Sequence, residues 1–262
     1  MNKKFNFEFP KASLPIQSLR DLLNIIKQDI KFKFIPFRLY YKYRAHKYSK
    51  NTSPELNIIH SISDSNKVSL DIGANLGLFT YFMSRSSKKV FAFEPESQNY
   101  ALLNRNIRLN NLSNNVVAWC CALSNNFIID RLYMRGLEVA ESGHEFGAEV
   151  DTALRPKKAL FAQGSISHKI DSLIESGSIP VPNHVKIDVD GIEHLVIEGA
   201  SKTFADKKLK SVLIEISPHI PEHLKIVNIM RSFGFIFDSD QVERARRKEG
   251  STKGYAEYIF RR

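Results

Sequence analysis

From Lys67 onward, short apolar runs alternate with amphipathic stretches, and this alternation restricts the fold more than any other feature. It is typical of an open, mostly parallel sheet with helices on both faces, a doubly wound Rossmann-like α/β fold. The apolar runs predict strands at residues 68–72, 90–94, 116–123, 184–189 and 211–216. The amphipathic stretches predict helices at 76–85, 97–110, 192–204 and 222–233. Two last runs, 235–237 and 255–260, predict an antiparallel hairpin that closes the sheet.

Two regions depart from this alternation. Residues 1–55 interleave aromatic side chains with Lys and Arg, and apolar positions between 14 and 30 recur at helical spacing. We therefore expect a short, basic, helical N-terminal extension that packs on the body or on a membrane surface. The α/β domain would occupy 56–262. Within it, residues 135–165 begin with a stretch of no clear period that contains three glycines, which favours a substrate-covering insertion.

The charge and the cysteine content limit the partners and the compartment. A net charge of +10 favours an anionic partner, or else a solvated basic face. No apolar run approaches the roughly 20 residues that span a bilayer, and the N-terminus lacks the apolar core of a signal peptide. We expect a cytoplasmic protein, with peripheral contact to an anionic inner-membrane surface through residues 1–55 as the alternative. The two cysteines are adjacent and have no metal-binding spacing, so no structural metal is expected.

A glycine-containing turn follows the first predicted strand. Asp71 ends that strand, where a buried carboxylate requires a partner. Gly73 and Gly77 enclose Asn75, and the missing side chains let a ligand approach the backbone and the amides of a helix start. The turn is G-x-x-x-G and not G-x-G-x-x-G, which disfavours a dinucleotide dehydrogenase. The turn fits the methionine end of S-adenosylmethionine (SAM).

Further ligand contacts are predicted after the next two strands. Glu94, about twenty residues beyond the glycines, can accept hydrogen bonds from both ribose hydroxyls, and Pro95 makes the following turn rigid. Cys121 and Ala122 would line an apolar slot for adenine, with a role in the core alone as the alternative.

Three carboxylates, Asp188, Asp190 and Glu193, lie within six residues at the end of the fourth predicted strand. Open α/β sheets bind their ligands at this edge. Carboxylate and imidazole groups at such an edge can remove a proton from a bound hydroxyl group. The candidate catalytic residues, in order, are Asp188, His219, Glu193 and Glu215, with Asp188 acting either as the base or as a cofactor-side contact. No metal site is predicted, although a divalent ion held by Asp188 is the alternative way to acidify a hydroxyl. His219 as a surface residue and Glu193 as a helix cap also remain alternatives.

Six motifs, taken in order, resemble the FkbM-type methyltransferase family: DIGANLGLFT, FAFEPESQNYALLNRNIRLNN, VVAWCCALS, KIDSLI, VKIDVDGIEHLVIEGA and LIEIS. The resemblance covers about residues 65–217. It implies a class I Rossmann-like fold, SAM as cofactor, and O-methylation of a hydroxyl on a sugar or another secondary metabolite. It also implies that Asp71, Gly73, Asn75 and Gly77 form the cofactor loop and that Glu94 binds the ribose. Asp190 departs from the family pattern, which has Glu at this position, so its role is in doubt.

Three functions are consistent with these features. The first is SAM-dependent O-methylation of a sugar, a glycoconjugate or a related metabolite. The second is RNA methylation, suggested by the basic, aromatic N-terminal segment. It is disfavoured because an Asn/Asp-Pro-Pro-aromatic motif and a paired catalytic cysteine arrangement are missing. The third is a non-catalytic membrane-surface binding protein. We therefore expect a small-molecule or glycan substrate and no nucleic acid, and the acceptor and the oligomeric state stay open.

Overall fold

The computed structural model describes residues 67–136, 143–151, 153–250 and 252–262. The predicted N-terminal extension, including its amphipathic helix, lies outside the described residues. None of the helices within the described residues is long and apolar enough to cross a bilayer.

The main sheet contains six strands: β1 (Val68–Ile72), β2 (Lys89–Phe93), β3 (Val116–Trp119), β8 (His184–Ile187), β9 (Ser211–Ile216) and β10 (Ala256–Arg261). Their spatial order is β10-β9-β8-β1-β2-β3. The five strands from β9 to β3 are parallel, and β10 runs antiparallel to β9. The predicted mixed, mostly parallel α/β fold is confirmed. The strand order changes direction between β1 and β8, because β2 and β3 lie on one side of β1 and the later strands β8 and β9 lie on the other. Such sheets bind ligands at this point.

The central strands form the core. Leu70, Ile72, Val185, Ile187 and Val212 are at most 1% exposed. A parallel strand covered by helices on both faces needs an almost continuous apolar sequence, and this explains the VSLDI, HVKI and SVLIEI runs. A rigid sheet of this kind fixes the loops at the carboxyl ends of β1, β2, β8 and β9 relative to one another.

The helices described are α1 (Leu78–Ser84), α2 (Ser97–Leu109), α3 (Ile170–Glu175), α4 (Glu193–Glu198), α5 (Ser201–Ala205), α6 (Pro221–Ser232) and α7 (Ser239–Ala245). The helix predicted at 192–204 is therefore two helices. The break lies at Gly199, where a Cβ atom would sit 2.0 Å from the carbonyl oxygen of Ser124. Because of this close backbone contact, position 199 has room for glycine and for no larger residue.

A second sheet was not predicted. It consists of β4 (Ala122–Leu123), β5 (Ile128–Met134), β6 (Glu145–Phe146) and β7 (Phe161–His168), in the order β4-β7-β5-β6. The strand predicted at 116–123 is thus divided between two sheets. The range 135–165 is also less irregular than predicted, because it contains β6 and the first residues of β7. The exposed residues of β7 outnumber its buried ones, which explains why its apolar pattern was weak.

In the C-terminal region, the last strand pairs with a different partner from the one predicted. β10 is antiparallel, as predicted, but it pairs along its whole length with β9. The segment predicted as the other strand of a hairpin contributes one antiparallel bridge, between Ile236 and Arg261. The edge of the sheet is therefore completed mainly by a long-range pairing, which a local sequence pattern does not specify.

Candidate active site

A cavity of about 400 Å³ opens at the carboxyl ends of β1, β2, β8 and β9. This volume lies in the ordinary range for small-molecule sites. The cavity is lined by Gly73, Glu94 and Cys121, which follow β1, β2 and β3, and by Asp188, Asp190 and Glu215 from the ends of β8 and β9. The loops after neighbouring strands thus meet where the topology of the sheet places a ligand.

The glycine turn after β1 touches the loop after β8. Gly73 has φ 76°, and a Cβ atom there would lie 1.8 Å from the carbonyl oxygen of Asp188. The amides of Gly73 and Ala74 both donate to the carbonyl of Phe93 at 3.0 Å. Only glycine fits here, because any side chain would force the two loops apart. Gly77 caps α1 with φ 86° and packs against Leu103, and it does not line the cavity.

Glu94 follows β2 and is held by two backbone amides. The amide of Asn75 donates to Oε2 at 2.7 Å, and the amide of Glu96 donates to Oε1 at 2.9 Å. Burial raises the pKa of Glu94 to about 7 despite these hydrogen bonds. The carboxylate is therefore fixed beside the glycine turn, and its charge can change near neutral pH. Asn75, Pro95, Cys121 and Ala122 line the cavity close to it.

Asp71 lies beneath the cavity and not along it. Its side chain is fully buried, accepts from Thr80 Oγ1 at 2.6 Å, and has Lys186 Nζ 3.5 Å away. Lys186 Nζ is also 3.3 Å from Asp188 Oδ2. Burial lowers the pKa of Lys186, but the charges of Asp188 and Asp71 outweigh it and raise the pKa overall. Lys186 therefore stays charged and ties the end of β1 to the end of β8.

Asp190 lines the cavity although the sequence left its role in doubt. Its φ is 61°, and its Oδ2 atom accepts from the amide of Gly143 at 2.7 Å. Burial, and then the charge of Asp188, raise the pKa of Asp190 to about 7. Its position was visible in the KIDVDGIE motif, but the sequence could not show that the left-handed turn aims this carboxylate at the cavity.

Glu215 lies at the end of β9 with Arg247 beside it. Arg247 Nη2 donates to Glu215 Oε1, and also to Glu257 Oε1 at 3.2 Å. Burial, and then the charge of Asp188, raise the pKa of Glu215 to about 9. Arg247 and Tyr255 line the cavity too, and neither was predicted. The only signal for Arg247 was the basic run at 244–248, which indicated charge but no position.

His219 and Glu193 lie outside the cavity lining. His219 is exposed, and its Nε2 atom is 2.9 Å from the carbonyl oxygen of Lys253. Glu193 is 1% exposed and accepts the amides of Val189 and Gly191. Within the described ranges, no group of three His, Cys, Asp or Glu side chains is arranged to hold a metal ion.

Comparison with known proteins identifies the family of the chain. The model of the FkbM methyltransferase domain matches residues 71–237, a span that contains the glycine turn, Glu94, Asp188, Asp190 and Glu215. The chain belongs to the FkbM methyltransferase family. Membership makes it a methyltransferase with SAM as cofactor, as the motifs predicted. The residues present fit this cofactor: the turn has no room for a Cβ atom, and a buried carboxylate stands one strand away.

The chain is also similar to two curated relatives and to one solved structure. Methyltransferase sdnD from Sordaria araneosa is 26% identical over 68% of this chain and 77% of that protein. Hexuronic acid methyltransferase AglP from Haloferax volcanii is 29% identical over 59% of this chain and 57% of that protein. The crystal structure of methyltransferase FkbM from Methylobacillus flagellatus is 14% identical, with a TM-score of 0.51, over 82% of this chain and 52% of that one. The chain thus spans little more than half of the last two proteins, and the last likeness shows the fold alone.

Beside the cavity, this FkbM-family chain buries a carboxyl group that has no hydrogen-bond partner among the described residues. Glu145 in β6 is fully buried, and neither of its oxygens is hydrogen-bonded in the described structure. Nε and Nη2 of Arg135 are buried and unpaired in the same way. Burial, followed by the charges of Asp190 and Glu193, raises the pKa of Glu145 to about 10. The side chain is therefore protonated at neutral pH.

We expect Glu145→Gln to stabilise the protein increasingly as the pH rises. The folded pKa exceeds the ordinary value of 4.5, so above pH 4.5 the unfolded chain releases a proton that the folded chain keeps. The free energy of unfolding of the wild type then falls by up to roughly 1.4 kcal/mol per pH unit through this group. Urea denaturation at pH 5 and pH 8 measures the difference, expected at roughly 2–4 kcal/mol in favour of the variant at pH 8. The exposed Glu249→Gln is the control, and equal behaviour of both variants would contradict a buried neutral acid.

Proposed function

We propose that this chain transfers the methyl group of SAM to a hydroxyl of a sugar, a glycoconjugate or a related metabolite. One observation carries the proposal: a single cavity is lined by Gly73 and Glu94 and also by Asp188, Asp190 and Glu215. The first two residues suit the ribose and amino acid parts of the cofactor, and the other three supply acceptors for hydroxyl hydrogens. The hexuronic acid methyltransferase among the relatives supports a sugar as the substrate class.

The mechanism needs alignment and one proton acceptor. When bound, SAM supplies a methyl group that is already activated for displacement. The chain contributes by holding the acceptor oxygen in line with that methyl group and by keeping water out. Gly143, His144 and Phe146 line the cavity, which supports a covering role for the 135–165 range.

Asp190 is our candidate for the general base. With a pKa of about 7, it is ionised in a large fraction of molecules at neutral pH and still binds a proton well. Asp188, ranked first from the sequence, is engaged in an ion pair with the buried Lys186, whose Nζ lies 3.3 Å from its Oδ2 atom. Glu215 accepts a hydrogen bond from Arg247, and burial raises its pKa. Glu193 and His219 would act, if at all, from outside the cavity lining.

Transfer of labelled methyl groups tests the function. Full-length protein is incubated with methyl-labelled SAM and separate pools of nucleotide sugars, cell-envelope glycans and RNA. We expect label in a sugar-containing pool. Label confined to ribonuclease-sensitive material would favour RNA methylation instead, and transfer to no pool would contradict the proposal.

Cytoplasmic location and contact of residues 1–55 with an anionic membrane remain predictions.

With the labelled fraction as acceptor, Asp190→Asn is expected to lower kcat by roughly 10²–10³-fold, because a general base contributes on that scale. Its Kd for SAM should stay within about threefold of the wild-type value, since the ribose and amino acid contacts are intact. The wild-type rate should rise with pH below 7 and level off above it. Asp188→Asn is the matched comparison. If it abolished transfer with SAM binding preserved while Asp190→Asn remained active, Asp188 would be the base.

A further inference from the structure

The loop that carries Asp190 has an unusual backbone conformation. It leaves β8 at Asp188 and turns through Asp190, with φ 61°, and Gly191, with φ 132°. A non-glycine residue adopts this left-handed region only when the surrounding structure supports it. The position of the Asp190 carboxylate in the cavity therefore depends on groups that hold the loop from outside.

Glu193 holds the loop on both sides of Asp190. The amide of Val189 donates to its Oε1 atom at 3.0 Å, and the amide of Gly191 donates to its Oε2 atom at 3.1 Å. Glu193 is 1% exposed and begins α4. Its two oxygens thus bind the amides immediately before and after Asp190, which fixes the turn at its two ends.

His223 in α6 holds Glu193 in turn. The amide of Ser217 donates to His223 Nδ1 at 3.1 Å, so the ring carries its hydrogen on Nε2. Nε2 lies 2.8 Å from Glu193 Oε2 and 2.9 Å from the carbonyl oxygen of Gly191. Burial lowers the pKa of His223 and the Glu193 carboxylate raises it more, but a second proton would need the Nδ1 lone pair that the Ser217 amide occupies.

We infer that Glu193 and His223 are positioning residues that hold Asp190 in place for proton removal. The pair ties the loop after β8 to α4, to α6 and to the residue that follows β9. Glu193 and His223 lie outside the cavity lining and act only through Asp190. The inference rests on the proposed function in so far as Asp190 is the base. It also explains why Glu193 closes the KIDVDGIE motif without lining the cavity.

Two substitutions at one position separate the two hydrogen bonds of the ring. His223→Asn keeps an acceptor near Nδ1 for the Ser217 amide and loses the donor to Glu193. His223→Gln keeps a donor near Nε2. We expect the exchange of the Val189 and Gly191 amides with deuterium to become at least tenfold faster in His223→Asn, and to stay within about threefold of wild type in His223→Gln. The rate of methyl transfer should follow the same pattern, while the Kd for SAM stays within about threefold in both.

The outcomes decide between a positioning role and simple packing. Loop exchange in His223→Asn equal to wild type would overturn the inference, and so would an equal loss in both variants. If either variant unfolds, Glu193→Gln, which keeps one acceptor oxygen and the side-chain shape, is measured in the same way and must speed the same two amides. Failure of the wild type to bind SAM or transfer methyl groups would contradict the proposed function, and the amide exchange would still decide the hydrogen-bond role of the pair.

Discussion

Replacing Gly73 by alanine is expected to weaken SAM binding at least 100-fold. The added Cβ atom would lie 1.8 Å from the carbonyl oxygen of Asp188, far inside van der Waals contact. Because that oxygen belongs to the backbone, the clash can be relieved only by moving the β1 turn away from the β8 loop. The cavity would then lose the arrangement in which Gly73 and Asp188 line it together. Calorimetric titration with SAM and with S-adenosylhomocysteine measures the effect.

Gly177→Ala provides a matched control for Gly73→Ala. Gly177 has φ 74°, almost the same as Gly73, but an added Cβ atom would meet nothing within 4 Å. Both variants suffer the strain of alanine in a left-handed conformation, and only Gly73→Ala adds the collision. We expect Gly177→Ala to lose some stability and to bind SAM as the wild type does. A Gly73→Ala protein with wild-type SAM affinity would show that the turn does not bind the cofactor.

Replacing Glu94 by glutamine is expected to raise the Kd for SAM at least tenfold at pH 8. The wild-type carboxylate accepts one backbone amide on each oxygen and can accept ribose hydroxyls as well. Glutamine has only one acceptor oxygen, so its NH₂ group must face one of those amides or a hydroxyl. Hydrogen bonds to a charged acceptor are also about twice as strong as neutral ones. Titration calorimetry between pH 6 and pH 8 measures the Kd.

The same experiment tests the charge of Glu94. Its pKa of about 7 in the free protein means that protonation competes with binding below neutral pH. Since SAM prefers the ionised form, the wild-type Kd should rise toward roughly tenfold per unit as the pH falls below 7 and stay level above 7. Glu94→Gln should show no such dependence. Glu175→Gln, at an exposed ion pair with Lys202, should retain the wild-type profile. If Glu94→Gln kept the pH dependence of the wild type, Glu94 would be excluded as the titrating ligand.

The cavity residues that we assign to the cofactor could largely be predicted from the sequence because their signals are local. Gly73, Asn75, Glu94 and Pro95 line the cavity in the order in which the strand ends occur along the chain. The prediction for Asp71 was less complete: the need for a partner was recognised, but the partners are Thr80 and Lys186. A buried carboxylate needs compensation, and sequence spacing does not say whether a ligand or another side chain provides it.

The rest of the cavity lining could be predicted only in part. Asp188 and Glu215 were expected and line the cavity, whereas Asp190, Arg247 and Tyr255 reach it for reasons that are not local. Asp190 depends on a left-handed turn supported by Glu193 and His223. Arg247 and Tyr255 belong to the segment that leads into β10, which reaches the cavity because β10 pairs with β9. Such placements arise from long-range pairing, so no window of the sequence contains them.

The sequence by itself determined the family, the cofactor and the mostly parallel α/β fold. Apolar periodicity and turn chemistry are properties of neighbouring residues, and each family motif lies within one short stretch of the chain. The tertiary structure alone decided which carboxylates face the cavity and which form hydrogen bonds inside the protein. Glu193 and Asp190 are three residues apart, yet one is 1% exposed beneath the loop and the other lines the cavity. The physical reason is that the orientation of each side chain follows from a backbone turn that residues more than 30 positions away hold in place.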